Sequence, residues 1–256
     1  MQVVILAGGQ GSRLSEETTT RPKPMVTVGG RPLLWHLMKG LGAQGVTEFI
    51  ICCGYKGYMI KEYFAHYFLH NADFTIDLKN NVMDAHPGRT EPWRVTVIDT
   101  GEHTETGGRL SRIRHLLDED EPFLMTYGDG LADVDLAALT SFHRGHGGLA
   151  TVTAVQPAGR FGALETAGDR VLRFTEKPAG DGMWVNGGFF VLHPSALDTI
   201  DGDTTMWERE PVARLAAAGQ LMTYRHRGFW QPVDTLRDVR YLQALWERDE
   251  APWRTW

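Results

Sequence analysis

Short apolar runs alternate with stretches of helical periodicity over the first 155 residues of the chain. The runs are rich in β-branched and aromatic residues, which is typical of strands buried on both faces of a sheet. They occur at residues 3–6, 48–53, 95–99, 122–127 and 150–155. Helical spacing of apolar residues occurs in the intervals, over 32–41, 59–68 and 135–144. Residues 100–110 lead into a further predicted helix that ends at Leu117 and has Arg109 in its first turn. This alternation predicts an α/β fold with βαβ units and a mostly parallel sheet.

The pattern changes after residue 155, where the predicted strands are shorter and helices are fewer. The predicted elements are two antiparallel strands at 161–165 and 171–176, a strand that starts at 186, a helix over 204–218, a strand at 221–225 and a helix over 235–247. The tail, residues 251–256, contains two tryptophans. We therefore expect it to pack on the body of the protein or on a neighbouring subunit.

Residues 69–93 interrupt the periodic pattern with a mixed polar segment that is long for a plain loop. Two explanations are open. The segment forms a small excursion with its own hairpin, or it is a surface that another subunit orders. We favour the second explanation, which predicts a homo-oligomer.

Composition and charge narrow the range of functions. The chain has 256 residues, of which 42% are hydrophobic and 23% charged, as is ordinary for a soluble globular protein. Its net charge of -6 argues against nucleic acid or an anionic membrane as the main partner, because both would require a basic face. Cys52 and Cys53 are adjacent in a predicted strand and point to opposite faces, so they are poor disulfide partners. With no apolar run of membrane-spanning length, these features predict a reduced, cytoplasmic compartment.

The first predicted strand leads into a glycine-rich loop. Gly8, Gly9 and Gly11 have no side chains, so their backbone N–H groups can approach a phosphate and donate to it. Arg13 then adds a forked cation, and Lys23 adds a point charge between two prolines that stiffen the backbone. The sequence therefore predicts an anion-binding site at the carboxyl end of this strand.

Three other interpretations of the loop can be weighed. The glycines could form no more than a tight connection between two elements. The two nearby cations argue against this interpretation, because a purely structural turn would not need them. A Walker loop requires Gly-Lys-Ser/Thr where the chain has Gly11-Ser-Arg13. A dinucleotide fingerprint requires a third glycine at the position of Leu14 and an acid about twenty residues later, and both are missing. The last point also argues against a dehydrogenase.

Two early motifs connect the chain to a known family. Residues 6–14 are Leu-Ala-Gly-Gly-Gln-Gly-Ser-Arg-Leu, and residues 22–25 are Pro-Lys-Pro-Met. In both stretches the chain resembles the sugar-phosphate nucleotidyltransferase family. Four later motifs follow in that family's order: Tyr127-Gly-Asp-Gly130, Phe174-Thr-Glu-Lys-Pro178, Val185-Asn-Gly-Gly188 and Trp230-Gln-Pro-Val-Asp-Thr235.

The resemblance implies one domain over residues 1–256 with a Rossmann-like, three-layer nucleotidyltransferase fold and a mixed, mostly parallel sheet. Residues 1–150 are expected to bind mainly the nucleotide. Residues 151–256 are expected to form a smaller, β-rich part that binds the sugar, together with a C-terminal helix.

The resemblance also implies a role for each motif. The residues expected to bind the nucleotide are Leu6, Ala7, Gly8, Gly9, Gln10, Gly11, Ser12, Arg13, Lys23 and Gly128. Those expected to bind the sugar phosphate are Glu176, Lys177, Asn186 and Gly187. Arg13, Lys23 and Lys177 are the expected catalytic residues, and Asp129 and Asp234 the expected ligands of Mg²⁺.

Asp129 is a metal candidate on independent grounds. It lies between two glycines at the carboxyl end of a predicted strand, where open α/β sheets bind their ligands. The simpler alternative is an ordinary turn aspartate. Lys177 considered alone would be a solvated surface lysine, and only its Glu-Lys-Pro setting favours a function.

The nucleotide is inferred from differences between branches of the family. The uridylyl and thymidylyl branches carry Pro-Leu-Thr after the loop arginine and a Gln-Pro-x-Gly stretch near the third strand, and this chain has neither. The stretches at 14–18 and 99–110, together with those at 52–57, 91–93, 159–163 and 251–253, resemble the cytidylyl-transferring branch instead. This resemblance implies that Thr104 and Arg109 contact CTP. The implied reaction joins CTP and α-D-glucose 1-phosphate to give CDP-glucose and diphosphate, in a trimer or hexamer.

Two alternatives to this reaction remain. The same chemistry could act on another sugar 1-phosphate or nucleotide, and the unusual Met183-Trp-Val185 before the sugar asparagine leaves the sugar open. The protein could also be a non-catalytic sensor of sugar nucleotides. The presence of both Asp129 and Asp234 argues against a sensor, because binding alone would not require two metal acids.

Overall fold

The computed structural model describes residues 1–9, 11, 14–86, 90–157, 163–175 and 183–256. The strands in these ranges are β1 (Val3–Ala7), β2 (Thr27–Val28), β3 (Arg31–Pro32), β4 (Glu48–Cys53), β5 (Phe74–Asp77), β6 (Val82–Ala85), β7 (Arg94–Asp99), β8 (Phe123–Tyr127), β9 (Gly130–Ala132), β10 (Ala150–Val155), β11 (Ala163–Ala167), β12 (Arg170–Thr175), β13 (Val185–Leu192), β14 (Leu221–Arg225) and β15 (Trp230–Pro232). The helices are α1 (Ser15–Thr18), α2 (Leu33–Ala43), α3 (Gly57–Ala65), α4 (Tyr67–His70), α5 (Thr106–Ile113), α6 (Leu136–His146), α7 (Glu210–Ala217) and α8 (Leu236–Glu247).

Seven of the described strands form a central sheet in the order β14, β10, β13, β8, β1, β4, β7. β1 is parallel to β4 and β8, and β4 is parallel to β7. β13 runs antiparallel to both of its neighbours, and β14 is parallel to β10. The sheet is therefore mixed and mostly parallel, as predicted.

β1 lies inside the sheet because it is apolar on both faces. Val3, Ile5 and Ala7 pack in one core with side chains of α2 and α8. Val4 and Leu6 pack in a second core with side chains of α5 and α7. Helices therefore cover both faces of the sheet, which confirms the three-layer α/β prediction.

The adjacent cysteines follow the same alternation in β4. Cys53 belongs to the first core and Cys52 to the second, and both thiols are free. Burial raises the pKa of each thiol to about 12. Both therefore stay protonated and poorly nucleophilic at neutral pH.

Most predicted elements agree with the structure, and three strands agree to the residue. Two helices differ. The helix predicted over 59–68 is divided into α3 and α4 at His66, and the helix predicted over 204–218 begins only at Glu210. The start of the predicted strand at 161–165 lies outside the described residues, and its observed part, β11, pairs antiparallel with β12 as predicted.

The late start of α7 has a tertiary cause. Backbone carbonyls of Asp203 and Thr205 accept hydrogen bonds from the N–H groups of Glu105, Gly107 and Gly108. A Cβ on Gly108 would lie 2.5 Å from the Asp203 carbonyl oxygen, so this close approach requires glycine. Residues 203–209 therefore cap the start of α5 instead of forming the first turns of their own helix.

The segment at 69–93 contains a hairpin of β5 and β6. The predicted excursion with its own hairpin is thus confirmed for the described residues, which exclude 87–89. Every residue of the two strands is exposed, and the exposed side chains include Phe74, Ile76, Leu78, Val82 and Met83. Whether another subunit covers the hairpin stays a prediction.

The C-terminal tail packs on the body of the protein, as expected. Trp253 is buried in the first core and its ring N–H donates to Nδ1 of His36 at 3.4 Å. No helix among the described residues is both long and apolar enough to cross a membrane.

α6 is joined to the sheet by two histidines that share one hydroxyl. Oγ1 of Thr151 lies 2.9 Å from Nδ1 of His143 and 2.7 Å from Nε2 of His146. Gly148 N–H donates to Nδ1 of His146, so a neutral His146 donates from Nε2 to Thr151. The threonine hydroxyl can then donate to His143. This chain of hydrogen bonds requires both rings to be neutral.

The histidine pair predicts a loss of stability in acid. Burial, assisted by His146, His193 and Arg144, lowers the pKa of His143 from 6.5 to about 4. Its contribution is complete above pH 6.5 and is lost as the pH falls toward 4, at a cost of up to about 3 kcal/mol. Urea unfolding at pH 7 and pH 5 should show a smaller decrease for His143→Gln than for wild type. Exposed His115→Gln is the control, and an unchanged pH dependence in His143→Gln would contradict the assignment.

Candidate active site

Two acids that are distant in sequence lie together at the carboxyl ends of the parallel strands. Asp129 follows β8 and precedes β9, whereas Asp234 follows β15. β9 and β15 pair antiparallel, with Gly130 opposite Pro232, and the Val233 N–H donates to the Asp129 carbonyl at 2.9 Å. This short ladder brings the two predicted metal acids to one place.

Lys23 connects the two carboxylates. It begins a 3-10 turn (Lys23–Met25) after Pro22, and its Nζ lies 2.8 Å from Oδ2 of Asp129 and 2.8 Å from Oδ1 of Asp234. Burial alone would lower the pKa of Lys23, but the two carboxylates outweigh this and raise it. The lysine therefore stays charged at this junction. The sequence predicted a phosphate contact for Lys23 but not its contact with both acids.

The donor set at this junction fits Mg²⁺. The ion prefers hard oxygen ligands and is commonly bound by one or two carboxylates together with waters and substrate phosphates. Among the described residues, no group of three or more His, Cys, Asp or Glu side chains could hold a metal. Two carboxylates at one place, as Asp129 and Asp234 are here, would suit a metal that is shared with a phosphate ligand.

A cavity of about 430 Å³ opens beside Asp129 at the end of β1. Its walls come from the glycine loop, the strand end at Tyr127 and the segment before and within α5. The lining residues are Leu6, Gly8, Gly9, Glu102, His103, Thr104, Glu105, Thr106, Arg109, Tyr127 and Asp129. The predicted nucleotide residues Leu6, Gly8, Gly9, Thr104 and Arg109 are brought together here.

Arg109 is buried at the back of this cavity and bonded to backbone carbonyls. Its Nη1 donates to the carbonyls of Cys53 and Gly101 and to Oγ1 of Thr100, at 2.8 to 2.9 Å. Its Nη2 donates to the Gly8 carbonyl at 3.2 Å. Burial lowers the pKa of Arg109. The guanidinium therefore ties the loop to the ends of two strands.

Gly8 has a steric role that the sequence did not reveal. A Cβ at this position would lie 2.2 Å from Nη1 of Arg109. The absence of a side chain thus makes room for the guanidinium, in addition to exposing the backbone to a ligand. Gly11, with φ of +63°, forms the turn that follows, and its carbonyl accepts from Leu14 N–H.

At the start of α5, hydrogen bonds within the protein already occupy several backbone N–H groups. Side chains of Thr104 and Thr106 line the cavity, but three backbone N–H groups are bonded to residues 203–205. Any ligand here would therefore be bound by side chains more than by those helix amides.

A second cavity of about 230 Å³ shares Tyr127 and Asp129 with the first. Its lining residues are Thr126, Tyr127, Asp129, Gly130, Asn186, Gly187, Gly188, Phe189, Trp230, Pro232 and Asp234. Oδ1 of Asn186 accepts from Gly188 N–H at 2.8 Å, and the Trp230 ring N–H donates to the Gly187 carbonyl at 2.7 Å. The predicted sugar residues Asn186 and Gly187 thus line a cavity that shares Asp129 with the first.

The remaining predicted residues divide into two groups. Ala7 is buried at the end of β1, and Gly128 donates its N–H to the Leu6 carbonyl at 3.0 Å and packs on Pro24. Five predicted site residues lie outside the described part of the chain: Gln10, Ser12, Arg13, Glu176 and Lys177.

Three residues at the site received no role from the sequence. Tyr127 and Trp230 lie within the quoted motifs, and their position next to a predicted metal acid was a usable signal. Glu208 accepts hydrogen bonds from the hydroxyls of Tyr127 and Thr106. It lies in the segment that was predicted as helix, so no sequence signal indicated it.

A family model and several known proteins match the chain along most or all of its length. The family model described as nucleotidyl transferase matches residues 2–247. The chain is 58% identical to glucose-1-phosphate cytidylyltransferase of Salmonella typhimurium, with 100% of both chains covered. It is 42% identical to a probable glucose-1-phosphate cytidylyltransferase of Bacillus subtilis, again with 100% of both covered.

Solved structures support the fold. HddC from Yersinia pseudotuberculosis aligns with a TM-score of 0.69 at 22% identity, covering 96% of this chain and 99% of that one. A putative glucose-1-phosphate thymidylyltransferase from Bacillus anthracis aligns with a TM-score of 0.68 at 17% identity, covering 96% and 94%. At these identities the likeness concerns the fold alone.

Proposed function

Because the chain belongs to the nucleotidyl transferase family, we propose that it transfers the cytidylyl group of CTP to α-D-glucose 1-phosphate and releases diphosphate. The observation that carries the proposal is the meeting of two cavities at Asp129, next to Asp234 and Lys23. Transfer between two phosphorylated substrates requires two adjoining sites with a charged junction. The full-length similarity to glucose-1-phosphate cytidylyltransferase selects CTP and glucose 1-phosphate among the family's substrates.

The chemistry requires position and charge more than proton transfer. The attacking oxygen of a sugar 1-phosphate is already an anion, so no general base is needed. The protein must hold the attacking and leaving oxygens in line on the α-phosphorus and balance the negative charge of two substrates. The two cavities supply the positions, and Lys23 supplies a cation at their junction.

Asp129 and Asp234 would hold Mg²⁺, which when bound neutralises charge on the α-phosphate and the departing diphosphate. The glycine loop, with Gln10, Ser12 and Arg13, would bind the triphosphate. Lys177 would bind the sugar phosphate, and Glu176 and Asn186 the sugar hydroxyls. We assign these roles because the motifs of this chain resemble those of the family.

A substrate panel tests the proposal. Purified protein with Mg²⁺ is incubated with each of CTP, UTP, dTTP, GTP and ATP against glucose 1-phosphate, mannose 1-phosphate and galactose 1-phosphate, and diphosphate release is measured. We expect the highest kcat/KM for CTP with glucose 1-phosphate, and CDP-glucose as the product by mass spectrometry. A higher kcat/KM for another pair would identify that pair as the substrates instead. Binding of the nucleotide or sugar phosphate without diphosphate release would indicate a sensor.

We further propose that the protein works in the cytoplasm as a trimer or hexamer. The two free, buried cysteines support a reducing compartment. The exposed apolar side chains of the β5–β6 hairpin support association, because such patches commonly mark protein contacts.

Light scattering at micromolar concentration should therefore give a mass of three or six chains. The double variant Ile76→Lys/Met83→Lys should lower this mass, because charges would be buried in the contact. Leu172→Lys on the exposed β12 is the matched control. A monomeric wild type, or a mass that falls only in Leu172→Lys, would refute this role for the hairpin.

A further inference from the structure

Tyr127 forms part of the wall of both cavities. It ends β8 two residues before Asp129, and it lines the nucleotide-side and the sugar-side cavity. Its ring packs against the backbone of Gly188 in β13, where an added Cβ would lie 2.9 Å from Cδ2. One aromatic ring thus contacts the strand of the sugar side and faces the cavity of the nucleotide side.

The Tyr127 hydroxyl is held by Glu208. One carboxylate oxygen of Glu208 accepts from the tyrosine hydroxyl, and the other accepts from Oγ1 of Thr106 at 2.6 Å. Oγ1 of Thr106 itself accepts from Trp207 N–H at 2.8 Å. Both carboxylate oxygens are therefore used, and the threonine is orientated by the same segment that carries Glu208.

This chain of hydrogen bonds joins parts of the site that are far apart in sequence. Thr106 is the first residue of α5, the helix that carries Arg109, whereas Tyr127 belongs to the strand that leads to Asp129. The segment before α7 is itself attached to α5 through the N–H groups of Glu105, Gly107 and Gly108. Glu208 thus connects the nucleotide-side helix to the wall shared with the sugar side.

We propose that Glu208 is a positioning residue for the transfer reaction, which holds the Tyr127 ring between the two cavities so that the two substrates meet in line. The inference rests on the proposed function. Reacting atoms must approach to about 3 to 3.5 Å, and a displacement of about 1 Å can cost about a hundredfold in rate. A residue that sets this alignment affects kcat more than KM, because each substrate still finds its own binding groups.

The test uses three variants of the full chain. Glu208→Ala removes both acceptors, and Tyr127→Phe removes the hydroxyl that they hold. Glu208→Gln keeps the length: its carbonyl can accept from Tyr127 and its amide can donate to Thr106. Exposed Glu210→Ala, in the first turn of α7, is the matched control.

We expect Glu208→Ala and Tyr127→Phe each to lower kcat at least about tenfold, with KM for CTP and glucose 1-phosphate changed by less than about threefold. Glu208→Gln should recover kcat to within about threefold of wild type. The kcat of the double variant Glu208→Ala/Tyr127→Phe should lie within about threefold of the kcat of the slower single variant. The two changes break the same connection, so their effects should not add.

Each other outcome overturns the inference in a recognisable way. Unchanged kcat in Glu208→Ala excludes a role in the reaction. If Glu208→Gln does not recover kcat, the reaction requires the negative charge of Glu208 and not only its hydrogen bonds, which contradicts a pure positioning role. A purely structural role would lower the melting temperature together with activity in Glu208→Ala and leave kcat per folded molecule unchanged. An inactive wild type would instead refute the proposed function.

Discussion

Asp129→Asn and Asp234→Asn are each expected to lower turnover about a thousandfold or more while leaving the fold intact. Asparagine has the volume of aspartate, and its carbonyl can still accept from Lys23, so the junction keeps its shape. It lacks the negative charge that a hard divalent cation requires of its ligands. The loss should therefore appear in kcat, measured as diphosphate release at saturating Mg²⁺.

An exposed aspartate far from the two acids provides a control. Asp120→Asn changes an exposed aspartate that precedes β8, at the opposite end of that strand from Asp129, and should leave turnover within about twofold of wild type. Melting temperatures of all three variants should be similar. Near-normal turnover in Asp129→Asn or Asp234→Asn would show that the acid concerned is not a metal ligand.

Arg109→Met is expected to lower kcat/KM for CTP and to narrow the ratio between CTP and UTP. The cytosine ring offers O2 and N3 as adjacent acceptors, whereas uracil has a proton on N3 that would face a donor. Leaving a buried donor or acceptor unpaired costs about 1 to 3 kcal/mol per group, which corresponds to about 5- to 150-fold in the ratio. Methionine keeps the length of the side chain and removes its donors.

The contacts of Arg109 define a competing explanation that the same variant tests. Its Nη atoms already donate to the carbonyls of Gly8, Cys53 and Gly101, so its loss will also loosen the nucleotide-side loop. If the arginine only supports the loop, kcat/KM for CTP and UTP will fall by the same factor. An unchanged ratio in a competition assay would therefore refute a role in reading the base.

Local patterns were sufficient for much of the fold. The apolar strands and the helix periodicity predicted an α/β fold with a mostly parallel sheet, because burial on both faces of a strand requires apolar residues at every position. The three-layer arrangement came from the family resemblance. The start of α8 is likewise determined by residues close in sequence. Thr235 and Asp238 form a capping box within one turn of chain, so nearby residues alone determine where that helix begins.

The candidate site could be predicted only as a set of separate motifs. Gly8, Asp129, Asn186 and Asp234 each stand in a recognisable stretch, and the general rule that ligands bind at the carboxyl ends of parallel strands suggested their region. That Lys23 contacts both acids depends on the pairing of β9 with β15, which joins segments about a hundred residues apart. No periodicity within either segment specifies that pairing.

The region around Glu208 illustrates the limit most clearly. Its sequence favours a helix over 204–218, yet residues 203–209 form turns rather than helix. The carbonyls of Asp203 and Thr205 pair with the start of α5, and the Glu208 carboxylate accepts from the Tyr127 hydroxyl. Propensity for one turn of helix amounts to only a few tenths of a kcal/mol per residue, and several tertiary hydrogen bonds exceed it. The order of residues along the chain therefore determined the layers and the chemical groups of this protein, whereas contacts between distant segments decided which of those groups meet.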